Sequence, residues 1–111
     1  MNHDPQLSCV STEIAYYDQQ ISSSPDMTED YVCRARLYMG KKEWDKAADD
    51  LDKAVDLNPK YASAFIWRGS VNAQMNRKSQ AISDYRLCRT YSTTTGLKNM
   101  AESALAKLGA K

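Results

Sequence analysis

A chain of 111 residues suits one domain, and its 42% hydrophobic and 26% charged residues exclude a disordered chain. No apolar run approaches the roughly 20 residues that a membrane span needs. The net charge of +1 hides an asymmetry, since residues 1–59 hold six basic against twelve acidic residues and residues 60–111 hold nine against two. Such a polar chain can meet an acidic partner at one end or associate head to tail.

Two helices are predicted in the first 40 residues. The first covers about 7–22, because Leu7, Val10, Ile14, Tyr17 and Ile21 repeat at helical spacing before residues 22–25, of sequence SSSP, end it. The second covers about 28–39. Asp26 and Glu29 have capping-box spacing at its start, and Gly40 closes it.

Four more helices follow, at about 43–57, 61–75, 78–91 and 97–108. Pro59 separates the third from the fourth, since proline disfavours helix at the residue before it. Asn76 is expected to take the left-handed conformation after the fourth. The acidic residues of the third helix are placed on its solvated face: Asp45, Asp49, Asp50, Asp52 and Asp56.

The chain overlaps with itself at a shift of 34 residues. The shift superposes Tyr31 on Phe65 and places small residues on small ones. One two-helix unit therefore ends and the next must stack on it to bury both apolar faces. The other superposed pairs are Arg34 and Arg68, Ala35 and Gly69, Ala47 and Ala81, Asp50 and Asp84, Leu51 and Tyr85, Ala54 and Cys88, Asp18 and Asp52, and Pro25 and Pro59.

These residues resemble the tetratricopeptide repeat, best over residues 28–95. The resemblance implies an all-α fold of about six antiparallel helices in a right-handed superhelical array. Its units would be a half-repeat helix in 1–27, repeats at 28–61 and 62–95, and a capping helix in 96–111. The chain departs from the family where Asn72 replaces an aromatic residue, Thr93 replaces the closing proline, and Arg34 and Arg68 replace leucine.

The resemblance also implies a function, which is protein or peptide binding in a concave groove lined by the first helix of each repeat. We expect a non-enzymatic adaptor, scaffold or co-chaperone-like module. The lysine and asparagine residues that hold chaperone tails in some members are not in register here, so a chaperone-tail receptor is not predicted. The groove residues would be Glu29, Val32, Cys33, Arg36, Met39, Ser63, Ile66, Trp67, Ser70, Ala73 and Gln74.

Two groove residues have competing interpretations. Trp67 is either a binding anchor, as tryptophan often is at interfaces, or part of the packing beside Phe65 or the sixth helix. Arg36 pairs either with a partner carboxylate or, as we favour, with Glu29 or Asp30.

Self-association is an alternative. The first helix lacks a pair, so its stripe, with Leu7, Val10 and Ile14, either folds back on the second helix or meets another chain. The basic residues Arg77, Lys78, Arg86 and Arg89 would face the acidic end of a second copy. A monomer stays equally open, and nucleic-acid binding through the basic half is less favoured, because no stacking platform accompanies the charges.

The three cysteines, Cys9, Cys33 and Cys88, show no metal-type spacing, and His3 is the only histidine. We expect free structural thiols in a reducing, cytoplasmic setting, with neither a disulfide nor zinc, although a signal sequence could have been trimmed. No cofactor, metal, small-molecule substrate or catalytic residue is expected, since no activated nucleophile or phosphate-binding loop is present.

Overall fold

The computed structural model describes residues 9–111, and within them it contains α-helices and no strand. The all-α prediction is confirmed. The six helices are α1 (Ile14–Ser23), α2 (Thr28–Gly40), α3 (Trp44–Leu57), α4 (Ala62–Gln74), α5 (Lys78–Tyr91) and α6 (Thr95–Lys107).

The helices pack in chain order as a succession of hairpins. Helix α2 packs along α3 and α4 packs along α5, while α3 and α4 join the two hairpins into one array. Each turn is short, so successive helices run antiparallel. The array is extended by α1 against α2 and by α6 against α5.

Small residues at the predicted positions let the paired helices approach closely. Ala35 and Ala47 are fully buried between α2 and α3, and Ala81 is fully buried in the next hairpin. At Gly69 a methyl group would lie 2.7 Å from the ring of Tyr85, so only glycine fits there without movement of that ring.

An arginine crosses each hairpin interface. Arg34 of α2 donates from Nε and Nη2 to the two carboxylate oxygens of Asp50, at 2.9 and 2.7 Å, and from Nη1 to Asp18 of α1 at 2.8 Å. Asp50 is buried, which corrects its predicted place on the solvated face of α3. The guanidinium thus joins three helices.

The same arrangement recurs 34 residues later. Arg68 donates to Asp84 of α5, with its closest contact at 2.9 Å from Nη2, and to Asp52 of α3 at 3.2 Å. Asn72 donates to the second oxygen of Asp84 at 2.8 Å. The polar residues that depart from the family pattern therefore satisfy one another, because each buried acceptor has a donor opposite it.

Helix α1 begins at Ile14, not near residue 7 as predicted. The amides of Val10 and Ser11 donate to the hydroxyl of Tyr17, at 3.0 and 3.1 Å, instead of entering a helix. Val10 is 76% exposed, so it belongs to no buried stripe. Leu7 lies outside the described residues.

Two predicted helix ends are also wrong in detail. Met27 precedes α2 as its cap with no side-chain hydrogen bond, so Asp26 and Glu29 form no capping box. Gly40 is the last residue of α2, and the left-handed residue of that turn is Lys42, with φ of 60°. Asn76 has φ of 61°, as predicted. Lys42 and Asn76 occupy the same position of successive repeats.

The prediction that excluded a disulfide is wrong. Cys9 and Cys33 are joined, with their Cα atoms 5.6 Å apart. Cys88 is free and buried, as expected. The sequence hides the pair because 24 residues separate the two cysteines and only the fold brings the chain before α1 back to α2.

The described helices are each too short or too polar to traverse a lipid bilayer.

Candidate functional site

The first helices of the hairpins form one face of the array. Helix α2 contacts α4, and α4 contacts α6, whereas α3 and α5 make at most marginal contact with each other. Helices that approach on one side and spread on the other curve the array, so α2, α4 and α6 line its concave face.

A cleft of about 540 Å³ opens between α4 and α6, with α5 at its base. Its floor is apolar and its rim is polar. Met100, which is 42% exposed, stands at the rim beside Lys107. The cleft is lined by Ile66, Ser70, Ala73, Tyr85, Gly96, Asn99, Met100, Ser103, Ala104, Lys107 and Leu108.

The floor of this cleft is held in place by hydrogen bonds as well as by packing. The Tyr85 hydroxyl donates to Oγ of Ser70 at 3.4 Å, and Ser70 donates to the carbonyl of Ile66 at 3.1 Å. Tyr85 itself is buried against Gly69. Because these groups are fixed by the α4–α5 hairpin, the cleft exists before any partner binds.

Trp67 lies beside the cleft rather than in it. Its ring packs against both hydrophobic clusters, one centred on α2 and α3 and the other on α4, α5 and α6. The guanidinium of Arg36 lies 4.7 Å from the ring centroid, within cation–π range. Among the described residues no partner accepts from the buried Nε1 of Trp67. This arrangement favours the packing interpretation of Trp67.

Within the described part of the chain, Arg36 forms no ion pair with Glu29 or Asp30, which corrects the favoured prediction. Its other contact is with the sulfur of Cys9, which lies 3.6 Å from Nη1. The concave face at α2 is therefore occupied by the segment that precedes α1.

The eleven predicted groove residues divide into three groups. Ile66 and Ser70 line the cleft, together with Ala73. Val32, Cys33 and Ser63 are buried, and Cys33 forms the disulfide with Cys9. The remaining five lie outside the cleft on the exposed or half-buried surface of α2 and α4, and they are Glu29, Arg36, Met39, Trp67 and Gln74.

Sequence reasoning missed the contribution of α6. A shift of 34 residues from Ile66 leads to Met100, and the same shift from Ala73 leads to Lys107, both of which line the cleft. The signal was therefore present, but the helix was interpreted only as a cap. Its outer face does resemble that of a cap, because Glu102 and Ala106 are exposed. The residues 34 positions earlier, Arg68 and Asn72, instead form hydrogen bonds with Asp84 of the next helix.

Comparison with known families decides the identity of the repeating unit. Residues 28–61 match the family model described as tetratricopeptide repeat. Residues 28–61 form a tetratricopeptide repeat, and the chain has a tetratricopeptide-type fold.

Curated relatives and solved structures agree with the tetratricopeptide assignment. Human mitochondrial import receptor subunit TOM70 is 32% identical over 76 residues, which cover 64% of this chain and 12% of that protein. The Arabidopsis OM64 TPR domain superposes with a TM-score of 0.80 at 21% identity, over 86% of this chain and 77% of that one.

A second solved structure is the second TPR domain of human RPAP3, determined in complex with the HSP70 peptide SGPTIEEVD. It superposes with a TM-score of 0.77 at 21% identity, over 88% of this chain and 79% of that one. At such identities the solved structures establish the tetratricopeptide fold, and the chain spans about an eighth of TOM70.

Proposed function

We propose that this tetratricopeptide chain is a non-enzymatic interaction module, an adaptor or scaffold, that binds a peptide or helix of a partner protein in the cleft between α4 and α6. The observation that carries the proposal is the open apolar cleft of about 540 Å³ on the concave face. Clefts of this size with a few placed polar groups are typical of ligand sites.

The lining defines the partner. Ile66, Ala73 and Tyr85 offer an apolar floor that suits one bulky aliphatic or aromatic side chain. Ser70, Asn99 and Ser103 offer hydrogen-bonding groups to the backbone of the bound segment, and Lys107 offers a cation to a carboxylate. We therefore infer an apolar anchor flanked by an acidic residue.

The solved peptide complex supports a peptide rather than a small molecule as the occupant. The RPAP3 domain, which has the same fold as this chain, was determined with a bound nine-residue peptide. The lysine and asparagine residues that hold chaperone tails in some members of the family are not in register in this chain, so we expect a different peptide sequence here.

A peptide display library selected on the immobilised chain tests the proposal. Ser103→Trp fills the cleft from an exposed position, and Glu102→Trp is the matched control, since residue 102 is exposed and lies outside the cleft. Selected peptides should share an apolar anchor, should bind the control variant unchanged, and should lose about tenfold or more in affinity on Ser103→Trp by calorimetry.

Two results contradict this function. One is a library from which no peptide is enriched. The other is a set of peptides that bind Ser103→Trp as tightly as the unsubstituted chain, which would place the site elsewhere.

Self-association is the second candidate function. Helix α3 carries a stripe of exposed acidic residues, Asp45, Asp49, Asp52 and Asp56. Helix α5 and its N-cap carry basic residues, which are exposed Arg77, Lys78 and Arg86 and half-buried Arg89. Both helices belong to the outer face, so acidic and basic stripes lie side by side and two copies could pair through them. Sedimentation should then show a dimer that dissociates with added salt, and a monomer at every concentration would exclude it.

Nucleic-acid binding through α5 has less support, because Tyr85 is buried in the cleft floor and offers no face for base stacking. A labelled single-stranded oligonucleotide whose binding falls steeply with salt would be required to revive it.

A cytoplasmic location also stays a proposal. A disulfide such as Cys9–Cys33 is typical of oxidising compartments, so the location and the state of this bond are linked.

A further inference from the structure

The segment before α1 crosses the α2 end of the concave face. We name residues 9–12 the strap. The Cys9–Cys33 disulfide ties its first residue to α2, and the Tyr17 hydroxyl accepts from the amides of Val10 and Ser11 in its middle.

The strap lies where a preceding first helix would pack. Cys33 and Trp67 are 34 residues apart and so share one position of the repeat. Trp67 uses that position to reach back to Arg36 of the preceding repeat, with 4.7 Å between guanidinium and ring centroid. Cys33 reaches back in the same direction and finds Cys9 of the strap.

The strap also covers Arg36. The sulfur of Cys9 lies 3.6 Å from Nη1 of Arg36, and a pocket of about 340 Å³ lies beside this contact, between the strap and α2. That space is lined by Cys9, Ser11, Thr12, Cys33, Arg36 and Leu37. A guanidinium held between a sulfur and an indole face has donors that neither neighbour satisfies well.

We propose that the Cys9–Cys33 disulfide is a redox latch. In the oxidised chain it holds the strap over Arg36, and in the reduced chain the strap is released, so that an anionic group, the carboxylate of a partner segment, gains access to Arg36 on the face of Trp67. This second docking point is separate from the cleft between α4 and α6, and its test does not depend on that cleft.

The release is a thiol–disulfide exchange with a dithiol reductant. A thiolate of the reductant attacks one sulfur of the Cys9–Cys33 bond and displaces the other sulfur as a thiolate, which takes up a proton. The second thiol of the reductant then displaces the remaining cysteine sulfur. The dithiol is oxidised to a cyclic disulfide, and two protein thiols are formed with its two electrons and two protons.

Apart from the disulfide, the strap is held by a few hydrogen bonds rather than by apolar packing. Val10 is 76% exposed, and the Tyr17 hydroxyl accepts from the amides of Val10 and Ser11 and donates to the carbonyl of Ser11 at 3.4 Å. Ser11 Oγ also accepts from the amide of Glu13, and Cys9 accepts from Arg36. Helices α2 to α6 make their contacts independently of residues 9–12, so reduction should leave them folded. A reducing compartment opens the latch and an oxidising one closes it.

The test uses the full chain with the substitution Trp44→Phe. The chain has two tryptophans, so Trp67 is then the sole tryptophan that fluoresces. Iodide, an anion, is the probe, and its quenching of Trp67 fluorescence is measured before and after dithiothreitol. We expect the quenching constant to rise severalfold on reduction, with unchanged far-ultraviolet circular dichroism. Acrylamide, which is neutral, should show a smaller rise.

Two cysteine variants complete the test. Cys9→Ser should be quenched like the reduced chain whether or not dithiothreitol is added. Cys88→Ser is the matched control and should respond like the unsubstituted chain, because Cys88 is buried away from the strap. If Cys9→Ser does not fold, the reduced unsubstituted chain provides the same comparison.

Three results would overturn the proposal of a redox latch. The first is three titratable thiols in the air-oxidised, denatured chain, which would mean that no disulfide forms. The second is quenching of Cys9→Ser equal to that of the oxidised chain, which would mean that the strap stays in place without the bond. The third is loss of helicity on reduction, which would make the disulfide a structural element.

Discussion

Arg68 donates hydrogen bonds to both carboxylate oxygens of Asp84, and this pair sits at the interface between α4 and α5. Asp84 is 3% exposed. Burial raises the pKa of its carboxyl, while the hydrogen bonds from Arg68 and Asn72 act in the opposite direction. The charge of Arg68 is therefore what makes an ionised Asp84 tolerable inside the hairpin.

Arg68→Leu should destabilise the chain by about 3 kcal/mol, although leucine is the residue usual at this position of the family. The substitution leaves Asp84 buried with only Asn72 as its donor, and an unpaired buried charge is costly. The loss is read from urea unfolding at about pH 7. Arg68→Leu combined with Asp84→Asn should recover most of it, and exposed Arg77→Leu should change stability by less than about 0.5 kcal/mol.

The pH dependence of the Arg68→Leu variant gives a further check. Without Arg68, burial outweighs the remaining hydrogen bond from Asn72, so the folded-state pKa of Asp84 lies further above its unfolded value and the folded state holds the extra proton. Stability contributed by such a group is lost as pH rises, and the variant should therefore gain stability relative to the unsubstituted chain as the pH is lowered from neutral toward the ordinary pKa range of a carboxyl group. A variant that loses stability over this range would refute the assignment.

Gly69→Ala should destabilise the chain by about 1–3 kcal/mol, because its methyl group would lie 2.7 Å from the ring of Tyr85. The added helix propensity of alanine does not offset this overlap. Gly40→Ala is the matched control, since nothing lies within 4 Å of the added methyl group. In thermal unfolding, Gly69→Ala should lower the midpoint temperature and Gly40→Ala should not.

Trp67→Ala should cost about 3 kcal/mol, because the ring packs against both hydrophobic clusters and a cavity would remain. Met100→Ala serves as control, since Met100 is already 42% exposed and should cost less than about 1 kcal/mol. Calorimetric unfolding measures both. Equal stability of the two variants would return Trp67 to the role of a binding anchor.

Cys88 should resist alkylation in the folded chain. Burial raises the pKa of its thiol to about 12, so the reactive thiolate is absent over the range in which proteins are normally labelled. Mass spectrometry after iodoacetamide treatment at about pH 8 should show no label on Cys88 until denaturant is added. Rapid labelling of Cys88 before Cys9 and Cys33 of the reduced chain would contradict the burial.

Lys42→Gly should stabilise the chain by about 1 kcal/mol, because Lys42 adopts φ of 60°, where a side chain meets its own backbone. Lys41→Gly is the neighbouring control. Lys41 has φ of −92°, so glycine there only adds unfolded-state entropy and should destabilise. Urea unfolding of both variants measures the difference.

Local pattern was sufficient for the helices and their repetition. Ala47 and Leu51 return at Ala81 and Tyr85, and all four are buried, because the interval of a repeat is set by side-chain size along one face of a helix. The same interval placed Asn76 correctly in its turn. The family and the all-α class follow from this regularity.

The start of α1 and the disulfide were not readable from local pattern. Val10 has helical spacing with Ile14, yet its amide bonds to Tyr17, since the strap takes its path from Cys33 on another helix. Propensity acts over neighbouring residues, whereas this path depends on a contact 24 residues away.

The site divides in the same way. The sequence, through its family resemblance, predicted that α2 and α4 present one face, and Ile66 and Ser70 of α4 both line the cleft. Only the tertiary structure decided that α6 completes the cleft with Met100 and that the strap covers Arg36. The physical reason is that periodicity reports which side of a helix is buried, while the open space between helices depends on how closely their backbones approach.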